Sequence, residues 1–303
     1  MQNANAGHLA MLAFSAIVAG SFAMGAIAAP YIDPLAINAP RMVLAVAIVA
    51  AVARARGVLK AKHFAASWRF LVMGGLMAAY FATMFWALQR TSGVSTSAVF
   101  TLTPIFSAGF GWLLLRQRAT PAMLAAMGIA AIGALWVIFR ADWSAFLAFD
   151  IGIGEQVFFL GCVGHALYAA LVKKLNRGEP LITITLGVLG GCAFVLLVLG
   201  LPALITTDWA SLPSIVWITM VYTAIFASAL TFFLVQFAAM RISAGQVMAY
   251  TYLTPGFVLI WNIALGQGVA PAMVWIGALI AACGMLALFL AGNASSRAQP
   301  AKK

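Results

Sequence analysis

Thr101-Leu102-Thr103-Pro104 recurs 151 residues on (255 − 104) as Tyr252-Leu253-Thr254-Pro255, and each copy sets a proline in the middle of a long apolar run. Proline has no N–H, so inside a helix the carbonyl four residues back, that of Phe100 or Thr251, loses its donor. In lipid, backbone left short of bonds is tolerated only where it packs on protein or lines a wet cavity. Pro-broken segments at matching places in two halves point to the binding region of a transporter. Pro104 and Pro255 are therefore expected to act as hinges.

Outward from these copies the repeat widens. Arg90 and Arg241, and Ser92 and Ser243, precede them at the same offset, and Pro121-Ala122-Met123 returns as Pro271-Ala272-Met273, one residue out of register. Apolar segments run over roughly 7–29, 35–53, 68–89, 93–115 and 121–139, then 152–172, 181–204, 212–236, 243–266 and 271–291, each close to the ~20 residues that cross a bilayer. Five spans separate the copies, an odd number, so the second enters from the other face. The expectation is an all-α polytopic membrane protein of ten transmembrane helices in two inverted five-helix repeats, 1–148 and 149–292, with a basic tail over 293–303.

Composition agrees. Of the residues 65% are hydrophobic and 8% charged, and mean hydropathy is +1.06, which a soluble surface of this size could not carry. No sustained alternation of period two suggests a β-barrel. The net charge of +11 lies in short connections rather than on an aromatic-interleaved face, so nucleic acid is not an expected partner. The apolar run before Ala26-Ile27-Ala28 lacks a preceding positive charge and is read as a span, not a cleaved leader. Cys162, Cys192 and Cys283 are scattered singly and read as packing residues, with no metal site or cofactor implied.

With the N-terminus in the cytoplasm, inside connections collect Arg54, Arg56, Lys60, Lys62, Arg69, Arg116, Arg118, Lys173, Lys174, Arg177, Arg241, Arg297, Lys302 and Lys303, against Arg90 and Arg140 outside. That bias places both termini inside a bacterial-type cytoplasmic (inner) membrane. Asp33, Asp142, Asp150, Glu155 and Asp208 fall at the opposite face, which is compatible with this orientation. Thr120-Pro121 reads as the cap and first residue of the fifth span, with Pro271 opening the tenth in the same manner. Gly187 and Gly191 form a GxxxG that allows close helix approach within one molecule or between two, and the oligomeric state stays open, a monomer included.

Few polar side chains lie inside the spans, and these are the informative ones. Arg41, about seven residues into the second span, reads either as a snorkelling or orienting residue or as the contact for a substrate carboxylate. His165 and Tyr168 share a face of the sixth span, and Tyr80 and Met84 share one of the third. Thr101 and Tyr252 stand three residues before the paired prolines. Tyr80, Met84, Thr101, His165, Tyr168 and Tyr252 form the candidate substrate-binding set. A greasy wall tipped with hydroxyls accepts a planar apolar side chain while bonding a polar head, although the same residues read equally as packing. Trp86, Tyr250 and Trp261 are weaker candidates.

The run Gly20-Ser21-Phe22, Pro34-Leu35 to Arg41, the segment Ala87 to Gly93 before Pro104, and Ala238 to Ala244 before Pro255 together resemble the drug/metabolite transporter superfamily, and within it the EamA-type ten-helix exporters. Tyr80, the His165 to Tyr168 stretch and Tyr252 to Pro255 are most similar to the aromatic amino acid exporters of the YddG type. The resemblance implies a basket of two inverted bundles around a central cavity. It departs where many members carry Gly-Glu after the fourth and ninth spans, since this chain has Gln117 and Gly266-Gln267, so no role is carried over from those glutamates.

The expected function is a secondary transporter exporting small amphipathic metabolites, above all aromatic or other hydrophobic amino acids, by alternating access. No acid lies at mid-membrane, which favours facilitated diffusion over a proton-coupled drug/metabolite antiporter. A channel and an intramembrane enzyme are the remaining alternatives. The enzyme is disfavoured by the lack of HExxH, GxSxG or a carboxylate pair at helical spacing.

Overall fold

The computed structural model describes residues 2–117, 119–139, 142–147, 151–239, 241–242, 247 and 249–298. Ser243 and Ala244 of the repeat, and Arg118, Arg140, Asp150, Lys302 and Lys303 of the charge pattern, lie outside the described residues. Among the described residues the chain is helical and has no strand.

The helices are α1 (Gln2–Ala28), α2 (Pro34–Ala55), α3 (Trp68–Leu88), α4 (Gly93–Phe100), α5 (Thr103–Leu115), α6 (Pro121–Ile138), α7 (Trp143–Leu147), α8 (Ile153–Leu175), α9 (Leu181–Thr206), α10 (Ser214–Ala224), α11 (Thr231–Ala239), α12 (Thr254–Ala264) and α13 (Ala272–Ala298). Among the described residues eight stretches are long and apolar enough to cross a membrane. The short α12 and the apolar part of α13, Ala272–Ala287, follow them, so the ten-span expectation is met approximately.

Starts follow side-chain caps. Asp33 accepts from the N–H of Leu35 and Ala36 at 2.7 and 3.3 Å, Ser92 accepts from Ser95 N–H at 3.1 Å, and Thr120 accepts from Met123 N–H at 3.2 Å with Pro121 opening α6. Each satisfies a donor that a helix N-terminus otherwise leaves orphaned. Pro271 stands just before α13 rather than inside it.

The paired prolines differ from expectation in an instructive way. Neither sits in a helix interior: α4 ends at Phe100 and α5 restarts at Thr103, so Pro104 occupies one of the first two positions of a new helix. Pro255 holds the same position in α12, after a 3₁₀ turn over Tyr250–Leu253. There the missing N–H is an orphan in any case and costs no bond. Leu102 has φ −79°, ψ −15° and Leu253 has φ −80°, ψ −13°, so the two breaks share one backbone geometry. A further irregularity is the π-helical stretch Ile225–Leu230 joining α10 to α11.

Packing pairs the elements across the molecule: α3 with α8 and α1 with α11, α5 with α8 and α1 with α12, α3 with α9 and α2 with α10. The contacts α2 with α9 and α6 with α13 join corresponding spans. The GxxxG is used inside the molecule. A Cβ at Gly187 would come within 2.6 Å of the Phe70 ring, and one at Gly191 would strike the Phe70 backbone, so both glycines let α9 close on α3.

Candidate functional site

α3 and α8 cross where Gly161 faces Thr83, and a Cβ at Gly161 would overlap the Thr83 hydroxyl. That close crossing brings Tyr80 of α3 onto His165 of α8, ring centroids 4.7 Å apart and planes 33° from parallel. Phe100 and Phe158 complete the group, 6.0 and 5.4 Å from the Tyr80 ring, and Phe100 lies 5.8 Å from His165. Tyr168 is one turn along from His165, at 5.9 Å. Met84, one turn from Tyr80 on α3, is buried.

Arg41 projects from α2 toward this group and is 1% exposed. Its guanidinium carbon is 4.2 Å from the Phe81 ring centroid and 5.7 Å from that of Phe85, and Tyr80 and Cys192 lie within its electrostatic reach. Its Nε and Nη1 are buried with no hydrogen-bond partner, as is His165 Nδ1. The guanidinium thus packs on ring faces with two of its nitrogens free of hydrogen bonds.

Two expected members are elsewhere. Thr101 is buried at the break, but its hydroxyl donates to the Ala98 carbonyl at 2.6 Å and is spent on the turn. Tyr252 is fully buried in a separate cluster with Ala126, Met127, Ala130 and Ala249, where its hydroxyl has no partner. The structure therefore gathers Arg41, Tyr80, Met84, His165 and Tyr168 and leaves Thr101 and Tyr252 apart. Among the weaker candidates, Trp86 stacks under Arg90 at 3.6 Å, the Tyr250 hydroxyl meets His8 Nδ1 at 3.0 Å, and Trp261 donates to the Ala16 carbonyl at 2.8 Å. Phe100, Phe158 and Cys192 join the site without having stood out among the chain's 21 phenylalanines and 3 cysteines. Asn38, which donates to the Phe81 carbonyl at 3.3 Å and ties α2 to α3, was legible only as a polar residue in an apolar run.

The chain's charges outside this site are organised at its ends. Arg69, at the start of α3, donates to Glu179 Oε1 at 2.7 Å and to the Leu175 carbonyl at 2.5 Å, and Arg177 N–H donates to Glu179 Oε2 at 2.7 Å. Burial pushes the Glu179 carboxyl up, but the bonds from Arg69 and Arg177 outweigh it and hold the group down at about 2. No group of three or more potential metal ligands occurs among the described residues.

The model of the EamA-like transporter family matches this chain twice, over residues 5–139 and 152–290. The chain belongs to the EamA-like transporter family. A relative from Bacillus subtilis (strain 168), the uncharacterized transporter YyaM, is 25% identical over 285 residues, covering 92% of each chain. A solved crystal structure of a protein shares the fold at 17% identity with a TM-score of 0.67, over 93% of this chain and 96% of that one. Membership makes this a multi-pass membrane transporter, which implies a small-molecule substrate handled within a lipid bilayer. In an EamA-like transporter, the gathered polar and aromatic side chains are the place to look for recognition of that substrate.

Proposed function

We propose that the protein is a secondary transporter of the drug/metabolite superfamily that exports small amphipathic metabolites, with aromatic or other hydrophobic amino acids as its substrates in the manner of the YddG-type exporters it resembles. The two halves, 1–148 and 149–292, act as inverted repeats and rock about the paired breaks to open one side at a time. Both termini lie in the cytoplasm of an inner-type membrane, as the Lys and Arg bias of the connections supports.

The observation that carries this reading is Arg41. A buried cation with two unpaired nitrogens is expensive to keep unless something anionic visits it. The Phe81 and Phe85 rings against it, and the adjoining Tyr80, Phe100 and His165 group, suit a planar apolar side chain attached to a carboxylate. Transport down a gradient needs no further group. His165 supports a second reading, proton-coupled antiport, because its buried Nδ1 is unpartnered and an imidazole can relay protons.

Purified protein in proteoliposomes should exchange labelled Phe, Trp and Met faster than Gly or Ser. Absence of gradient-dependent flux for all of them refutes the amino acid reading. An imposed pH gradient that leaves the Phe rate unchanged supports facilitated diffusion, and one that drives uphill Phe movement supports the antiporter.

A further inference from the structure

Opposite the face that carries the N-terminus, a cavity of about 580 Å³ opens where the α3–α4 turn, the start of α8 and the α12–α13 turn meet. Its lining includes Arg90, Ser95, Glu155, Asn262 and Gln267. Its size falls within the range of small-molecule pockets.

Glu155 is 3% exposed. Its Oε1 accepts from the Ser95 hydroxyl at 2.7 Å and from the Thr91 hydroxyl. Among the described residues no Lys, Arg or His lies within ion-pair distance of it. Hydroxyl donors orient a carboxylate without cancelling its charge, and a buried carboxylate without a counter-ion is costly. The start of α8 eases that cost, because a helix N-terminus favours negative charge. Glu155 is the third residue of α8 and its Oε2 lies against Gly152 at that helix start, while the hydroxyl bonds to Oε1 come from the α3–α4 turn, so the carboxylate joins the two elements at the cavity wall. It is not a remnant of the repeat. The two family-model matches begin at residues 5 and 152, which sets Glu155 opposite His8, and the first half has no acid before Asp33. Across the same cavity Arg90 is exposed, its guanidinium lying on the Trp86 ring.

We infer that this cavity is a second substrate station, in which Glu155 binds the ammonium group of an amphipathic amine or amino acid passing between the ring cluster and the outer solution. The inference rests on the transporter reading and adds to it a chemical requirement, a cationic head, and a location on one face only. Arg90 at the rim suits the carboxylate of a zwitterion, which makes amino acids better ligands here than simple amines.

The test compares three probes that share a phenyl group: phenylalanine, 2-phenylethylamine, which keeps the ammonium, and 3-phenylpropionate, which keeps the carboxylate. Glu155→Gln preserves the shape and the acceptor for Ser95 and Thr91. In proteoliposomes it should raise the half-saturating concentration of phenylalanine and 2-phenylethylamine about tenfold, the scale of one lost charge-assisted bond. It should leave 3-phenylpropionate within about twofold of wild type, and Glu155→Asp should recover part of the loss. The same three probes are read by thermal unfolding of the detergent-purified protein, which needs no flux. Stabilisation by 2-phenylethylamine that disappears in Glu155→Gln upholds the station even where flux is absent and the transporter reading falls. Equal losses for all three probes would make Glu155 a structural bolt between α8 and the α3–α4 turn, and no Glu155-dependent stabilisation by either amine would equally overturn the inference.

Discussion

The Tyr80 ring lies 4.7 Å from the His165 imidazole, one on α3 and the other on α8, and the neighbouring Phe81 ring, 5.1 Å from Tyr80, receives the buried Arg41. Aromatic pairs contribute about 0.5–1.5 kcal/mol beyond the area they bury, so the stack itself helps hold the two helices. Tyr80→Phe keeps the ring and removes the hydroxyl. It should change stability by less than about 1 kcal/mol while raising the half-saturating concentration of amino acids several-fold, because one substrate hydrogen bond is lost. Thermal unfolding and proteoliposome flux on the same preparation check both halves; wild-type affinity would remove the hydroxyl from the site.

Arg41 should show stability and function pulling apart. Replacing it by methionine, similar in length and apolar, removes a buried charge that has no ion-pair partner among the described residues. The folded protein should be as stable as wild type or more so, since a desolvated charge disappears. Flux of carboxylate-bearing substrates should fall by at least about tenfold, the loss of one charge-assisted contact. A strong drop in unfolding temperature with retained affinity would make Arg41 a structural residue.

These two residues also show what the sequence made legible. Arg41 and His165 stood out because ionisable groups are rare in apolar runs, and their burial needed no knowledge of packing. The spans were readable for the same reason, as each apolar run has to be long enough to cross lipid. The neighbours of Arg41 were not readable. Phe100 and Phe158 look like every other phenylalanine in the chain, and what selects them is where α4 and α8 pack against α3. Tyr252 was misleading because sequence places it beside Pro255, whereas the helix restart turns it into the α6–α13 packing. Glu155 was visible as an acid near a helix start, but its burial against Thr91 and Ser95 depends on how three separate turns meet.

Arg69 and Glu179 form a buried ion pair at 2.7 Å. Removing one partner leaves the other charge buried, so Arg69→Met or Glu179→Gln alone should cost about 3–5 kcal/mol, and the double variant clearly less than the sum. The pH dependence follows from the direction of the Glu179 shift. Its folded value is lowered from 4.5 to about 2, so the stabilisation is fully present above about pH 4.5 and is lost as pH falls from there toward 2. Acid unfolding of wild type against Glu179→Gln checks this; identical acid profiles would mean that the carboxylate is not held by Arg69.

Arg116 ends α5 with φ +54°, the only positive φ outside glycine among the described residues. Its N–H bonds the Trp112 carbonyl at 3.0 Å and the next N–H, of Gln117, bonds the Gly111 carbonyl at 3.1 Å, so the left-handed turn closes the helix end. The matching position in the second half is Gly266, with φ +72°. A side chain in this region costs about 1–2 kcal/mol that glycine avoids. Arg116→Gly should therefore raise stability by about 1 kcal/mol in chemical unfolding; a loss of that size would mean that the arginine side chain makes a compensating contact.

The last prediction concerns the paired breaks. Because Pro104 and Pro255 each stand at the start of a helix, alanine in their place loses no hydrogen bond and forfeits only the entropy advantage of a fixed φ, about 0.4–1 kcal/mol. Both variants should fold. What alanine adds is an N–H able to reach the carbonyl four residues back, that of Phe100 or Thr251, which would let α4 run on into α5 and the 3₁₀ turn run on into α12. If the two halves move about these points, either substitution stiffens one hinge, and flux should fall several-fold with substrate affinity nearly unchanged. The shared backbone geometry of Leu102 and Leu253 makes the expectation symmetric, so the two variants should be impaired to a similar degree. Wild-type flux in both would mean that the breaks are static packing features and that the moving element lies elsewhere, with the π-helical stretch Ile225–Leu230 the next place to test.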